Sequence, residues 1–186
     1  DLIEISNSKI RYNSSDQNYA GIKIDHADSL IISNCLIKNN DATNSCGGIY
    51  LTGDVDHAEI IETDIINNNG GGVSSSSESI MIINCKIDSN ISNSTAGGAY
   101  ILSNYTSIAN TQFSFNEAND YSALFVSSSE FILKNSTLTN NNDNSPHVAP
   151  LGFGSGNNKN YLVLNSIIYH PNHPNRDLYI NGGNVS

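Results

Sequence analysis

Residues 32–40 read ISNCLIKNN, and the same order of residues returns six more times along the chain. The shared order is an apolar residue, any residue, Asn, a small residue, any residue, an apolar residue, any two residues and a second Asn. The other copies are ISNSKIRYN (5–13), IIETDIINN (60–68), IINCKIDSN (82–90), IANTQFSFN (108–116), LKNSTLTNN (133–141) and VLNSIIYHP (163–171). Glu62 replaces the first Asn in one copy, and Pro171 replaces the second in another. Successive copies lie 22 to 30 residues apart, which is typical of one supersecondary unit stacked on the next.

Apolar and polar residues alternate on both sides of the first Asn, with the period of two that strands show. The alternation breaks at the Asn, since Ile32 and Cys35 are three residues apart and both are expected to face inward. A sharp bend at the Asn explains the break, because Asn tolerates left-handed backbone. A third short strand is predicted after a variable loop in each copy, at 20–24, 47–51, 71–75, 97–101, 122–126, 151–155 and 177–181.

Three short strands per repeat predict an all-β fold, a right-handed single-stranded parallel β-helix (solenoid) of about seven rungs. At a strand spacing of about 4.8 Å, such a rod is roughly 34 Å long. We expect residues 1–186 to form a single β-helix segment, and we expect that segment to be a fragment of a longer surface protein.

Two columns of Asn residues are predicted to stack along the rod as structural ladders, in which amides satisfy one another and the bent backbone. The first column is Asn7, Asn34, Asn84, Asn110, Asn135 and Asn165, and the second is Asn13, Asn40, Asn68, Asn90, Asn116 and Asn141. Three of these residues, Asn13, Asn90 and Asn135, also begin N-x-[ST] sequons. We expect them to be too buried to carry glycans.

The chain has 8 Lys and Arg residues against 18 Asp and Glu residues, a net charge of −10. This balance argues against nucleic acid or an anionic membrane as partner, because phosphate binding draws on clustered Lys and Arg. No apolar run approaches the roughly 18 residues of a membrane span.

Cys35 and Cys85 are interpreted as small buried residues of one repeat column, and Cys46 in a loop as the only candidate reactive thiol.

The segments GGIY (47–50), GGVS (71–74) and GGAY (97–100) match a G-G-[AILV] motif, and Phe113–Asn116 is an F-x-x-N motif. Together they resemble the repeats of the chlamydial polymorphic outer membrane proteins and of adhesin-like β-helix proteins in other microbes. The resemblance implies a secreted, surface-displayed passenger that acts in adhesion at the cell surface. It implies no catalytic residues.

One outward column of the third strand is rich in aromatic residues, which stack on sugar rings or meet protein partners. The column is Lys23, Tyr50, Ser74, Tyr100, Phe125, Gly154 and Tyr179. Tyr50, Tyr100, Phe125 and Tyr179 are therefore the candidate ligand-binding residues, for a protein or glycan of a host or neighbouring cell. The alternative is that the rings form an ordinary cross-strand ladder or lie under a loop.

Acidic residues cluster in two predicted loops, at 25–28 (DHAD) and 54–59 (DVDHAE). Carboxylates of this density suit Ca²⁺, which makes Asp25, Asp28, Asp54, Asp56 and Glu59 weak candidate ligands. Neither segment has the ligand spacing of a recognised calcium loop, so solvated loops are the alternative and no cofactor is predicted. The His residues of HPNHP at 170–174, with His147, are interpreted as part of a rigid loop that covers the last rung.

Many polysaccharide lyases and hydrolases use the predicted fold, but fold does not imply function. A paired-carboxylate groove beside a Lys or Arg is not found in the sequence. The nearest arrangement is a mixed-charge patch on the second strand, interpreted as a solvated face: Lys9, Arg11, Lys38, Lys86, Asp64 and Asp88. We therefore predict that the segment is not an enzyme, and keep a polysaccharide-acting protein and a self-associating surface-layer or filament unit, stacked head to tail, as alternatives.

Overall fold

The computed structural model describes residues 1–16, 18–43, 45–144, 149–155 and 159–170, and the backbone of two further strands at 178–180 and 184–185. The chain winds into a parallel β-helix in which each strand pairs with the equivalent strand one repeat away. The predicted fold class is confirmed. None of the described residues belongs to a helix long and apolar enough to cross a membrane.

Three faces run along the rod. The second face is a sheet of seven strands: Lys9–Arg11, Leu36–Lys38, Asp64–Ile66, Lys86–Asp88, Gln112–Ser114, Thr137–Thr139 and Ile167–Tyr169. The first face contains Leu2–Ser6, Ser79–Ile83, Tyr105–Ala109, Glu130–Lys134, Asn160–Leu164 and Asn184–Val185. The third face contains Val73–Ser75, Ala99–Ile101, Leu124–Val126, Leu151–Phe153 and Leu178–Ile180. Two long strands, Ile22–Ser33 and Ile49–Ile61, run through the third face into the first.

The bend predicted at the first Asn is present in every repeat. These residues have positive φ angles, from 48° at Asn165 to 55° at Asn84, and Glu62 adopts 49° in the copy that lacks the Asn. A second bend, which the sequence analysis missed, precedes the second Asn. It falls on chemically varied residues with φ between 53° and 60°: Tyr12, Asn39, Asn67, Ser89, Phe115 and Asn140.

A fourth ladder of very short strands follows the second Asn and was also missed. It consists of Ser14–Ser15, Asp41–Ala42, Glu117–Ala118 and Asn142–Asp143, continued by single bridges through Asn69 and Ile91. The variable loop therefore begins only after one more paired position. This pairing fixes where each loop leaves the rod.

The core is a continuous column of aliphatic side chains from all three faces. Ile32, Ile60, Ile82 and Ile108 of the first face are fully buried, as are their counterparts on the second face, across the first bend: Ile37, Ile65, Ile87 and Phe113. The Gly pairs of the third face allow the close approach of consecutive rungs. A Cβ atom at Gly48 would overlap the carbonyl oxygen of Gly72, and one at Gly98 would overlap that of Ala123.

The second Asn column is a buried ladder with its hydrogen bonds satisfied. Each amide Nδ2 donates to the Oδ1 of the next Asn, at 3.0 Å from Asn68 to Asn90 and 3.1 Å from Asn90 to Asn116. The same Nδ2 donates to a backbone carbonyl of the preceding rung, as Asn90 does to Ile65 at 2.9 Å. Each Oδ1 also accepts a backbone N–H, as that of Asn90 does from Asn68 at 3.0 Å. The ladder therefore holds the second bend of one rung to that of the next.

The first Asn column differs from the prediction, because its side chains are exposed. Within the described part of the chain, its amides make two contacts with one another, Asn110 to Asn84 at 3.1 Å and Asn135 to Asn110 at 3.3 Å. The Asn residues are needed here for their backbone conformation, and their side chains point to solvent. Asn13 and Asn135 are exposed as well, so the expectation that these two sequons are buried was wrong, whereas Asn90 is buried.

The residue after each first Asn forms a further inner ladder of hydroxyl and thiol groups. Thr111 Oγ1 donates to the carbonyl of Ala109 at 3.0 Å and accepts the backbone N–H of Cys85 at 3.3 Å. Cys35 and Cys85 belong to this column and are buried, free thiols. The column explains why the repeat requires Ser, Thr or Cys at this position.

Replacing one buried ladder Asn is expected to cost far more stability than replacing an exposed one. In Asn90→Ala, the Asn68 backbone N–H and amide lose their acceptor and the Ile65 carbonyl loses its donor. We expect the free energy of unfolding to fall by roughly 2–4 kcal/mol, measured by urea denaturation. The matched control, Asn84→Gly, keeps the left-handed bend and is expected to cost less than about 1 kcal/mol. Equal losses in the two variants would contradict the structural role assigned to the second column.

Candidate functional site

The aromatic column of the third face lies on one line along the rod. The strand register aligns Lys23, Tyr50, Ser74, Tyr100, Phe125, Gly152 and Tyr179. The prediction placed Gly154 in this column. The paired strand is Leu151–Phe153, so Gly152 occupies the position and Gly154 lies just beyond the strand. The strand that contains Tyr179 continues the face, but only the backbone of this strand is described, so the Tyr179 side chain is left out of the site.

Neighbouring rings of the column stack on one another. The centroids of Tyr100 and Phe125 are 5.2 Å apart, and their planes differ by 13°. Tyr121 packs on Phe125 at 4.9 Å, and its ring occupies the space that a side chain at Gly152 would fill. Part of the column is therefore an ordinary cross-strand ladder, the alternative that the sequence analysis left open.

Two tyrosines that the sequence analysis did not assign extend this surface. Tyr19 lies 4.2 Å from Tyr50 between centroids, with the Lys23 ammonium 5.1 Å above the Tyr19 ring. Tyr19 and Tyr121 both stand four residues before the column residue of their own rung. That shared offset was the available signal. The pKa of Tyr50 is raised, chiefly by a side-chain hydrogen bond with Tyr19 and secondarily by burial.

The column is interrupted at Ser74, where a cavity of about 400 Å³ opens between Tyr50 and Tyr100. Tyr50 and Tyr100 are two strands apart, a separation of about 9–10 Å. Small and hydroxyl-bearing residues form the rest of the lining, chiefly Ser45, Ser76, Ser92, Ser94, Thr95 and Gly71. A second cavity of about 400 Å³ lies on the other side of Tyr100, against Phe125 and Tyr121. Thr95, Tyr100 and Leu102 border both cavities.

The two cavities are electrically neutral at their walls. Among the residues that line them, all within the described part of the chain, there is no Asp, Glu, Lys, Arg or His. At the edge of the second cavity, the Lys159 ammonium donates to Ser127 Oγ at 2.7 Å. Burial lowers the pKa of this lysine. The site thus offers aromatic faces and hydroxyl groups on a molecule whose net charge is −10.

The two acidic segments were predicted to be loops, but they are parts of the long strands Ile22–Ser33 and Ile49–Ile61. Their register places His26 beside Asp54 and Ser29 beside His57, so the two similar sequences are not aligned. Asp25 pairs with Lys23 at 2.8 Å, and Asp28 pairs with the amino group of Asp1. No group of three or more His, Cys, Asp or Glu side chains able to hold a metal occurs among the described residues. The candidate calcium ligands, Asp56 and Glu59 included, are therefore not brought together.

A hydrogen-bonded chain of Ser79, His57 and Glu59 on the first face was missed by the sequence analysis. Ser79 Oγ lies 2.6 Å from His57 Nδ1, and Glu59 Oε1 lies 3.1 Å from His57 Nε2. Nucleophilic catalysis also requires donors that stabilise the developing oxyanion. The backbone N–H groups of these strands are engaged in the parallel pairing of the sheet. We therefore interpret these three hydrogen-bonded side chains as a polar cross-strand cluster.

The mixed-charge patch lies on the seven-stranded sheet of the second face. Lys86 stands beside Asp64 in the register and approaches Asp88 at 3.7 Å. Lys9 pairs in register with Leu36, and Arg11 with Lys38, so basic residues predominate at the N-terminal end of the face. This is the solvated arrangement that the sequence analysis favoured.

Two other candidates are explained by the core. Cys46, the only candidate reactive thiol in the sequence analysis, is buried, and burial raises its pKa to about 12. His170 is buried, and its Nε2 lies 3.1 Å from Asn141 Nδ2 at the end of the ladder. Because an amide nitrogen only donates, this ring nitrogen must accept. His147 and His173 lie outside the described residues.

Comparison with known proteins supports the fold. A family model described as a right-handed β-helix region matches residues 1–167. A search of curated proteins and a search of solved structures returned no match.

The burial of the thiols predicts their reactivity. At pH 8, a pKa of about 12 leaves roughly one Cys46 thiol in ten thousand as thiolate, and burial also raises the pKa of Cys85, to about 11. We expect almost no reaction of these two thiols with an aromatic disulfide reagent in the folded protein, and titration of all 3 cysteines in guanidinium chloride. Rapid labelling of Cys46 in the native rod would contradict its placement.

Proposed function

We propose, from the premise that the chain belongs to the right-handed β-helix family, that it is an adhesin-like rod of the cell surface. The rod holds the third face towards a glycan or protein of a host or neighbouring cell. Binding takes place on the aromatic column and its two cavities. No chemical step is assigned to it.

The single observation that carries this proposal is the opening between Tyr50 and Tyr100, continued by the second cavity beside Phe125. Concave sites with aromatic walls and a few polar groups are the usual form of ligand sites. Aromatic rings contribute large contact areas and favour flat or ring-shaped partners.

The stacked rungs explain why such a site suits recognition. The strands that contain Tyr50, Ser74, Tyr100 and Phe125 are each bonded on both sides by parallel neighbours, and the buried Asn ladder fixes the bends of these rungs. The rings are thus held at set intervals before a partner arrives, which lowers the entropy lost on binding. A rod also displays its site at a distance from the surface that bears it.

Composition and motifs support the extracellular assignment and the choice of partner. The chain has only 8 Lys and Arg residues, so a polyanionic partner is disfavoured. The G-G-[AILV] segments and the F-x-x-N segment resemble adhesin-like repeats, of which the chlamydial polymorphic outer membrane proteins are one example. The Gly pairs have a structural role in this chain. They therefore support a similarity of the repeats, and they say less about whether the ligands are similar.

Head-to-tail self-association is a second candidate, favoured by one observation. Leu164, Ile167 and Tyr169 are exposed near the C-terminal end of the described rod. An apolar patch at a rod end suits stacking of further units. Analytical ultracentrifugation over a range of concentrations distinguishes a monomeric rod from such a filament unit.

The proposal predicts selective binding on a broad glycan array. Binding by the purified protein is expected to fall at least tenfold in Tyr50→Ala and in Tyr100→Ala, because each removes one wall of the first cavity. Tyr169→Ala, which removes an exposed tyrosine of the second face, is the matched control and is expected to bind normally. An array without binding, from a folded and soluble rod, would refute glycan recognition by this segment.

A further inference from the structure

The break in the aromatic column at Ser74 has the dimensions of a missing rung of the ring stack. Where two adjacent column positions are both aromatic, as at Tyr100 and Phe125, the rings stack directly at 5.2 Å. Ser74 pairs in register with Tyr50 on one side and with Tyr100 on the other. A ring inserted above Ser74 would therefore have an aromatic neighbour on each side.

We propose that this opening is a sugar-binding subsite, in which one uncharged pyranose ring of an oligosaccharide lies between Tyr50 and Tyr100 above Ser74. The inference rests on the proposed function and specifies its site and ligand class. The two column positions that flank Ser74 are about 9–10 Å apart. A group touching both rings at a carbon–carbon separation of about 3.5–4 Å needs about 7–8 Å if flat, and somewhat more if puckered.

The polar lining matches the hydroxyl groups of a sugar. Ser45, Ser76, Ser92, Ser94 and Thr95 surround the opening with short side chains that both donate and accept hydrogen bonds. A flat nucleotide base would also fit between two rings, but its phosphate would have no Lys or Arg in the lining of either cavity. Neither lining contains a Lys or Arg to pair with a uronic acid, or an Asp or Glu to pair with an amino sugar, and the Lys159 ammonium at the edge of the second cavity already donates to Ser127 Oγ.

The second cavity gives the oligosaccharide its direction. Tyr100 and Leu102 border both cavities, so a sugar unit in the first is adjacent to a unit in the second, against Phe125 and Tyr121. The cavity volumes, about 400 Å³ each, lie within the range of small-ligand sites. The ligand class is thus a neutral oligosaccharide that runs along the rod axis.

The test is a titration of Ser74→Tyr with neutral oligosaccharides of glucose, galactose, mannose and N-acetylglucosamine, and with uronic acid oligomers. Binding is measured by saturation-transfer NMR and calorimetry. The new ring would complete the stack and fill the opening, so we expect at least a tenfold loss of affinity for the neutral sugar with no loss of thermal stability. Ser74→Ala keeps the opening and is expected to bind within about threefold of the unchanged protein.

Ser107→Tyr adds the same ring at an outward position of the first face and is the matched control. Three results would overturn the inference. Unchanged affinity in Ser74→Tyr, together with loss in Phe125→Ala, would move the ligand to the second cavity and leave the proposed function standing. Stronger binding of the uronic acid oligomers would refute the neutral ligand class. Absence of binding to any glycan would refute the inference and the proposed function together.

Discussion

The buried amide ladder of the second Asn column is the interaction on which the rest of this rod depends. A polypeptide that bends twice within a few residues leaves backbone groups that cannot pair within its own strands. In each interior rung one Asn satisfies these groups, since its oxygen accepts a main-chain N–H and a neighbouring amide while its nitrogen donates to a main-chain carbonyl. Both bends then recur at the same height, and the three faces keep their register.

The surface follows from that register. The third face keeps its register because its interior strands are paired on both sides and its Gly pairs admit the neighbouring backbone. Each outward side chain thus meets the outward side chain of the next rung. Whether a stretch of this surface is a closed ring stack or an opening is decided by single residues, as the contrast between Phe125 and Ser74 shows. The fold tolerates either choice, because neither residue contributes to the core.

Much of the fold could be predicted from the sequence. The repeat pattern indicates the bend at the first Asn, the two recurring apolar positions on either side of it, and the third strand. The second bend could not, because the residue that adopts it ranges from Tyr12 to Ser89 and has no common chemistry. The roles of the two Asn columns could not be separated either. Both show the same residue, but one is selected for backbone conformation at the surface and the other for hydrogen bonding in the interior.

The candidate site could be predicted in part. Tyr50, Tyr100 and Phe125 were placed on one outward line by their shared position in the predicted third strand, whereas Tyr19 and Tyr121 reach the same line from the turn before the strand. Cys46 shows the converse: a loop-like sequence context did not reveal that its sulfur packs inward against backbone carbonyls, one of them that of Ile49 at 3.0 Å.

The uniform direction of the amide ladder has a consequence for how such rods can vary. Every amide-to-amide bond of the ladder runs from one rung to the next in the same sense, and each rung contacts only its neighbours. A whole repeat can therefore be gained or lost by recombination without disturbing the bonding of the others. The distance between two features on the rod can then change only in multiples of one strand spacing, about 4.8 Å. Related rods of this architecture would therefore differ in the spacing of their surface features by whole numbers of rungs.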